Sequence, residues 1–112
     1  MEFCLSGMAQ SYEDNSSSIS PAFRSSHICL TCAVRLNPGN QEEEINNFRK
    51  IFVQDMYSLG KGAYPNEAEF DLENWQVELW GSMERYNRLL EVKKSWDPNG
   101  LFWCHHCVGD EE

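Results

Sequence analysis

Residues 27–36 have the sequence HICLTCAVRL, which alternates strictly between two faces. One face is apolar and consists of Ile28, Leu30, Cys32, Val34 and Leu36. Alternation with a period of two over ten residues predicts a β-strand with one buried face. The turn-forming sequence Asn-Pro-Gly-Asn at residues 37–40 predicts the end of that strand.

A long amphipathic helix is predicted over residues 41–59. Asn40 is a suitable N-cap, and Glu43 is placed to complete a capping box with it. Gly60 is a suitable stop. Apolar residues recur inside the segment at helical spacing, at Ile45, Phe48, Phe52, Met56 and Leu59.

Two further helices are predicted in the second half of the chain. Asp71 is expected to cap a short helix that ends at Gly81, and Ser82 is expected to begin the next one. Lys93 falls inside the apolar stripe of this last helix, where its aliphatic stem can pack while its ammonium group stays in water. The turn sequence at residues 97–100 ends the helix.

These elements predict an α+β fold with one long strand of an antiparallel sheet and about three helices. Residues 1–20 are polar and are expected to form a flexible N-terminal segment, followed by an ordered region over residues 21–112. A single strand leaves its backbone groups unpaired, and two-stranded ribbons are only marginally stable. We therefore expect that either the chain dimerises through this strand edge or the remaining strands belong to sequence that is missing, so that the fold is incomplete.

Composition argues against several classes of function. The chain carries 9 basic and 18 acidic residues, a net charge of -9, which repels nucleic acid and anionic membranes. No stretch approaches the roughly 20 apolar residues of a membrane span, and the N-terminus lacks the basic start of a secretory signal. Five cysteines without a signal sequence are expected to be reduced thiols. The cellular compartment is left open.

Four motifs occur in order in the second half of the chain. They are Tyr64-Pro65-Asn66, the Trp75 to Gly81 helix, Arg88-Leu89 with Lys93, and Asp97-Pro98 with Phe102. The chain closes on FWCHHCVG at residues 102–109, and SPAFR at residues 20–24 precedes the predicted strand. This series resembles the C-terminal segment of the berberine-bridge-enzyme-like branch of the vanillyl-alcohol-oxidase superfamily, and its ending resembles fungal members. The resemblance covers roughly residues 20–110.

The resemblance implies an FAD-linked oxidoreductase in which a small organic substrate gives a hydride to the flavin, in fungal secondary metabolism. In that family an N-terminal domain binds FAD, and a substrate domain places an antiparallel sheet over the flavin. The 112 residues contain no glycine-rich phosphate loop. The resemblance therefore implies a C-terminal fragment that is inactive alone and holds FAD only with an FAD-binding domain or partner chain.

The resemblance also implies individual site residues. Tyr64 and Asn66 match the family residues beside the flavin ring and are the predicted cofactor-binding residues, whereas no catalytic residue is identified. If the strand covers the flavin, then His27, Cys29 or Thr31 can face the substrate. An ordinary solvent or sheet-packing position is the expectation for each of the three.

The cysteine pattern also raises the question of a small zinc module. Cys29-x-x-Cys32 and Cys104-x-x-Cys107 form two CxxC pairs, and thiolates are good zinc ligands. About 71 residues separate the pairs, however, whereas small zinc modules use roughly 15 to 20. Cys29 and Cys32 also lie on opposite faces of the predicted strand. We therefore predict no metal site.

The same residues give little support to a redox centre. A redox CxxC motif is expected to open a helix after a strand, and residues 28–36 offer no such helix start. His105 and His106 lack an evident acidic partner and, in an extended chain, would point to opposite faces. A non-enzymatic role stays open: a non-catalytic, truncated or partner-dependent scaffold that completes its sheet with a separate FAD-binding chain.

Overall fold

The computed structural model describes residues 11–13, 16–32, 35 and 37–111 and is helical with long connecting segments. The elements are α1 (Ala22–Ser25), α2 (Gln41–Phe48), a π-helical segment (Arg49–Val53), α3 (Gln54–Leu59), α4 (Trp75–Trp80) and α5 (Met83–Trp96). Helices α4 and α5 pack against each other. No helix in the described part of the chain is both long and apolar enough to cross a bilayer.

The predicted strand is wrong. Among the described residues no strand forms, and the segment contains only an isolated bridge at Cys29. Ile28, Leu30 and Cys32 are exposed rather than buried, while positions 34 and 36 of the predicted apolar face lie outside the described residues. Alternation gives a segment one apolar face, but a strand also needs a neighbouring strand whose backbone N–H and C=O groups hydrogen-bond with its own. The α+β class is therefore replaced by helices and irregular segments.

The helix predicted over residues 41–59 is confirmed as one continuous helical run, with the π-helical segment in its middle. Asn40 is its N-cap, as predicted, but the predicted capping box is absent. The Asn40 side chain instead donates to Glu43 Oε2 at 3.1 Å. The backbone and side-chain N–H groups of Asn37 donate to Glu44 and hold the pKa of that carboxyl below its ordinary value.

The two later helices differ in how well their starts were predicted. Ser82 caps α5 as expected, because its Oγ accepts from the Arg85 backbone N–H at 3.1 Å. Helix α4 begins at Trp75, after Asn74 in a left-handed conformation with φ 53°. Asp71 does not cap it and instead forms an ion pair with Arg49 at 2.7 Å.

The end of α5 is closed by an ionic hydrogen-bond network. Asp97 accepts from the backbone N–H groups of Leu101 at 2.8 Å and Phe102 at 2.9 Å. The Lys93 ammonium donates to the Asp97 carboxylate and, at 2.6 Å, to the Phe102 carbonyl oxygen. The ammonium is thus bound by protein, contrary to the expectation that it stays in water.

A small core lies where α4 and α5 meet. Leu79 and Tyr86 are 0% and 1% exposed, and Leu72 is also buried. The Trp75 ring packs edge-on against Tyr86 with the ring centroids 5.4 Å apart. This contact joins the first turn of α4 to the first turn of α5.

Arg85 fastens the chain that precedes α1 to this core. It is 8% exposed, and its guanidinium donates to the carbonyl oxygens of Ser17 and, at 2.6 Å, Ile19. Both acceptors belong to the segment predicted to be flexible. Residues 1–10, 14 and 15 of that segment lie outside the described residues.

At the last residue of α5 and in the chain that follows it, large apolar side chains face solvent. We call this the C-terminal apolar surface, and it consists of Trp96, Leu101, Phe102 and Trp103. Trp96 is 86% exposed, although Trp is a residue type that is highly buried on average. The chain then turns back toward Tyr86, whose hydroxyl accepts from the Gly109 backbone N–H at 3.0 Å.

Candidate functional site

An apolar groove of about 530 Å³ lies between the long helix, residues 28–32 and the loop at residues 60–69. Its wall is mainly aromatic and aliphatic, with Ile28, Leu30, Phe48, Phe52, Met56 and Tyr64 among the lining residues. Polar groups are few. A concave apolar surface with a small number of polar groups at its edge is typical of a binding site for a small organic molecule.

The loop on one side of the groove is fixed by contacts to α1 and α4. The backbone N–H of Ala63 donates to the Glu78 carbonyl oxygen at 3.0 Å, and the N–H of Gly62 donates to Glu78 Oε2 at 3.2 Å. Gly62 has φ +81° and lies so close to Ala22 that a β-carbon on Gly62 would overlap the Ala22 side chain. The chain therefore reaches Tyr64 along a defined path.

Tyr64 and Asn66, the two predicted cofactor-binding residues, are brought together at the rim of the groove. The Asn66 amide nitrogen donates to the Tyr64 hydroxyl oxygen at 2.8 Å. Tyr64 lines the groove, is 42% exposed, and packs edge-on against Phe23 with the ring centroids 5.7 Å apart. The Glu67 backbone N–H donates to the Tyr64 carbonyl oxygen at 2.9 Å, and this hydrogen bond closes the turn that carries both side chains.

Two of the three candidate substrate-facing residues also line the groove. Thr31 does so, and its hydroxyl donates to Glu67 Oε2 at 3.0 Å. Cys29 lines it as well, whereas His27 is exposed and is not among the lining residues. The Cys32 Sγ lies 3.4 Å from the Met56 sulfur on the same wall. Residues 28–32 of the segment predicted as a strand thus border the groove, and among its described residues no strand forms.

Tyr57 is a groove residue that sequence reasoning missed. Burial raises the pKa of its hydroxyl, and the carboxylates of Glu69 and Glu78 raise it further, so the hydroxyl remains a proton donor. Tyr57 lies beside Met56 and off the predicted apolar stripe. Val53, one turn earlier, also lines the groove, so the groove covers a wider face of the helix than the predicted stripe. The i, i+4 spacing of Val53 and Tyr57 would have been the signal.

The charges around the groove fit one part of FAD and not the other. An isoalloxazine ring has apolar faces and a polar edge, which suit the apolar wall and the Tyr64–Asn66 pair. The FAD diphosphate needs cationic side chains or a helix N-terminus. Lys61 is the one cation among the described lining residues, and Glu67 and Glu69 lie close by. The described residues therefore fit the ring, and the diphosphate requires other residues.

The second CxxC pair differs from expectation because Cys104 and Cys107 form a disulfide. The expectation of reduced thiols is wrong for this pair. In the disulfide state neither sulfur is a thiolate ligand for zinc. Within the described ranges, no group of three or more His, Cys, Asp or Glu side chains is placed to hold a metal ion.

His105 and His106 lie between these cysteines and stack on each other, with the ring centroids 3.8 Å apart. The expectation that they point to opposite faces is wrong, because a turn replaces the extended chain. The acidic partner that was not evident from sequence is Asp110. Its Oδ2 accepts from the His106 backbone N–H at 2.7 Å and lies 3.4 Å from His105 Nδ1.

The groove rim and the disulfide turn fall within one region of recognisable sequence. The family model described as berberine and berberine like matches residues 63–109. Residues 63–109 are a berberine-like segment. This region carries Tyr64, Asn66, helices α4 and α5, and the Cys104–Cys107 turn. The resemblance inferred from the four ordered motifs is confirmed.

Curated relatives extend the similarity upstream of the berberine-like segment. FAD-linked oxidoreductase notD of Aspergillus sp. (strain MF297-2) is 34% identical over 115 residues, covering 96% of this chain and 18% of the relative. FAD-linked oxidoreductase sor8 of Hypocrea jecorina (strain QM6a) is 33% identical, covering 93% of this chain and 19% of the relative.

A shorter match is more similar. FAD-linked oxidoreductase ffsJ of Aspergillus flavipes is 54% identical over 52 residues, which cover 46% of this chain and 8% of the relative. The matched part of the chain thus spans between 8% and 19% of the length of these three proteins. No solved structure matches the chain significantly.

Proposed function

We propose that the berberine-like segment is the C-terminal part of a fungal-type FAD-linked oxidoreductase that transfers a hydride from a small organic substrate to the flavin. The observation that carries this proposal is the hydrogen-bonded pair Tyr64 and Asn66 at the rim of the apolar groove. FAD is the cofactor named in the relatives, and these two residues lie inside the matched family segment.

The groove residues have distinct roles in this proposal. Bound flavin supplies the two-electron acceptor chemistry. With flavin bound, the Asn66 amide oxygen would accept from the polar edge of the ring, while one of its two amide N–H groups donates to Tyr64. Tyr64 keeps a hydroxyl proton to donate. The aromatic and aliphatic wall excludes water from the space beside the ring, where a substrate would lie.

The groove needs a covering surface to act in this way. It is open, and Ile28, Leu30 and Phe52 on its wall remain between 45% and 54% exposed. The radius of gyration is 16.0 Å, whereas about 13 Å is typical of a compact domain of this length. We propose that an FAD-binding domain, in the same protein or in a partner chain, covers the groove and binds the diphosphate and adenosine.

Complementation tests the proposal. The chain is co-expressed with the part of a notD-like relative that it does not match, and the purified complex is assayed for flavin by absorbance. Asn66→Ala is expected to weaken flavin retention by roughly tenfold, the effect of losing one or two hydrogen bonds to a buried ring. Asn87→Ala is the matched control, because Asn87 is exposed on α5.

The outcomes separate the oxidoreductase from the scaffold. Retained flavin that loses its oxidised absorbance when substrate is added without oxygen supports hydride transfer. A complex that retains flavin equally in both variants and never becomes reduced supports the non-catalytic scaffold instead. Absence of any complex with flavin domains from several relatives would contradict both the oxidoreductase and the partner-dependent scaffold.

A further inference from the structure

Four aromatic rings form a continuous stack beside the Cys104–Cys107 disulfide. Phe70 stacks on His105 with centroids 4.1 Å apart, His105 on His106 at 3.8 Å, and His106 on Trp75 at 5.1 Å. The interplanar angles are 22°, 28° and 17°, so each pair is close to parallel. We call these rings the ring column. Its two middle members are the two residues enclosed by the disulfide.

The backbone of this turn depends on being held closed. His106 has φ 58°, a left-handed conformation that is uncommon for residues other than glycine. The disulfide keeps the Cα atoms of Cys104 and Cys107 5.3 Å apart, and the Cys107 N–H donates to the Cys104 carbonyl oxygen at 3.1 Å. Opening the disulfide leaves His106 free to return to a common conformation, which would separate its ring from the column.

The disulfide is placed for exchange with an external thiol. Cys104 is exposed and Cys107 is half-buried, so an attacking thiolate reaches the Cys104 sulfur first. A disulfide that joins residues only three apart restricts the unfolded chain less than one that closes a long loop. Stabilisation of the fold is therefore its weaker role. Exposed disulfides are also the more easily reduced class.

We propose that Cys104–Cys107 is a redox-active disulfide that a dithiol reduces in the folded protein, and that its reduction releases the ring column. The thiolate of the dithiol attacks Cys104 Sγ, the S–S bond breaks, and Cys107 leaves as a thiolate that takes up a proton. The second thiol of the dithiol then displaces Cys104. Two electrons and two protons pass to the protein, and the dithiol becomes a disulfide.

Phe70 links the ring column to residues 64–71 at the rim of the groove, so that release of the column affects these residues. The Phe70 carbonyl oxygen accepts from His105 Nε2 at 2.7 Å. Its neighbours Glu69 and Asp71 form ion pairs with Arg49 at 2.5 and 2.7 Å, and Arg49 opens the π-helical segment of the long helix. Reduction therefore loosens residues 64–71, the loop that carries Tyr64 and Asn66. This inference does not rest on the proposed flavin chemistry.

The test combines alkylation with hydrogen exchange on the full 112-residue chain. The folded protein is treated with dithiothreitol, alkylated with a maleimide without denaturant, and mapped by mass spectrometry. We expect alkylation at both Cys104 and Cys107, amide exchange in residues 64–71 faster by about fivefold or more, and recovery of both signals on reoxidation.

Two variants make the result specific. Cys104→Ser with Cys107→Ser is expected to show fast exchange in residues 64–71 without reductant and no further response to it. Cys4→Ser is the matched control, because it removes a thiol far before the turn in the sequence, and it should respond as the original chain does. If the double variant does not fold, the alkylation and exchange measured on the original chain with dithiothreitol decide whether the proposal holds.

Three results would overturn the proposal. The first is alkylation of Cys104 and Cys107 only after denaturation, which would make the disulfide purely structural. The second is alkylation in the folded protein with unchanged exchange in residues 64–71. The third is a double variant that still responds to dithiothreitol.

Discussion

Pro21 packs directly onto Gly81, and the contact leaves no room for a side chain. A β-carbon built on Gly81 would lie 2.7 Å from Pro21 Cδ and 2.8 Å from Cγ. Gly81 ends α4 with φ +92°, a conformation that glycine adopts without steric cost. The entry to α1 and the junction of α4 with α5 are therefore one packed unit.

Gly81→Ala is expected to lower the free energy of unfolding by about 1–3 kcal/mol, because it adds both a positive-φ cost and an overlap with Pro21. Urea unfolding followed by tryptophan fluorescence measures the change. Gly39→Ala is the control, since nothing lies within 4 Å of its added β-carbon. Equal losses in the two variants would contradict the role of the contact.

Arg85→Met is expected to cost about 1–3 kcal/mol, because the carbonyl oxygens of Ser17 and Ile19 lose a charged donor. Hydrogen exchange should become faster in residues 16–20 as the segment that carries these two carbonyl oxygens detaches from the core. Arg88→Met, at an exposed position of α5, should change neither quantity. If Arg88→Met lowered the stability and accelerated the exchange as much as Arg85→Met does, the loss of a positive charge on α5 would explain both effects instead.

Asp97 makes the end of α5 sensitive to acid. The Lys93 ammonium, and then the backbone N–H groups of Phe102 and Leu101, hold the pKa of Asp97 below its ordinary value of 3.8. The carboxylate thus contributes stability that is fully present above pH 3.8 and is lost as the pH falls through the lowered pKa.

Asp97→Asn should therefore be less stable than the original chain at neutral pH, and the difference should shrink below pH 3.8. Chemical unfolding across an acid pH series gives the comparison. The exposed Asp55→Asn provides the control. A difference that does not vary with pH would argue against the ionic network.

His106 contributes a second pH dependence with a defined sign. Burial, reinforced by the neighbouring His105, lowers the pKa of His106 below its ordinary value of 6.5. Below pH 6.5 the unfolded chain takes up a proton at His106 before the folded chain does. Stability is therefore present above pH 6.5 and declines as the pH falls toward the lowered value.

His106→Phe should flatten this decline, and proton NMR titration should place the His106 ring below its ordinary pKa. His27→Phe is the control, since His27 is exposed and lies outside the ring column. An unchanged slope in His106→Phe would assign the decline to other groups.

Local sequence signals predicted the helices well. The helical spacing over residues 41–59, the serine cap at Ser82 and the turn after α5 are decided by contacts within one or two turns of chain. Motif order predicted Tyr64 and Asn66 as cofactor-binding residues, and the turn between them brings their side chains together. Their contact with a cofactor stays a prediction.

Features that depend on distant or unusual contacts were not predictable in this way. Alternation in residues 27–36 predicted a strand, but pairing needs a neighbouring strand that alternation does not supply. Tyr57 lines the groove beside Met56 because the loop and residues 28–32 enclose a wider face of the helix than the predicted stripe. The Cys104–Cys107 bond depends on a turn in which His106 adopts a left-handed backbone conformation.

The C-terminal apolar surface has a consequence for behaviour in solution. At a net charge of -9, copies of the chain repel one another in dilute buffer, which keeps Trp96, Phe102 and Trp103 apart. In molar salt the Debye length falls to about 3 Å, and this repulsion no longer opposes contact between aromatic surfaces. The chain should therefore sediment as a monomer at low ionic strength and self-associate as salt is added, the reverse of aggregation held together by ion pairs.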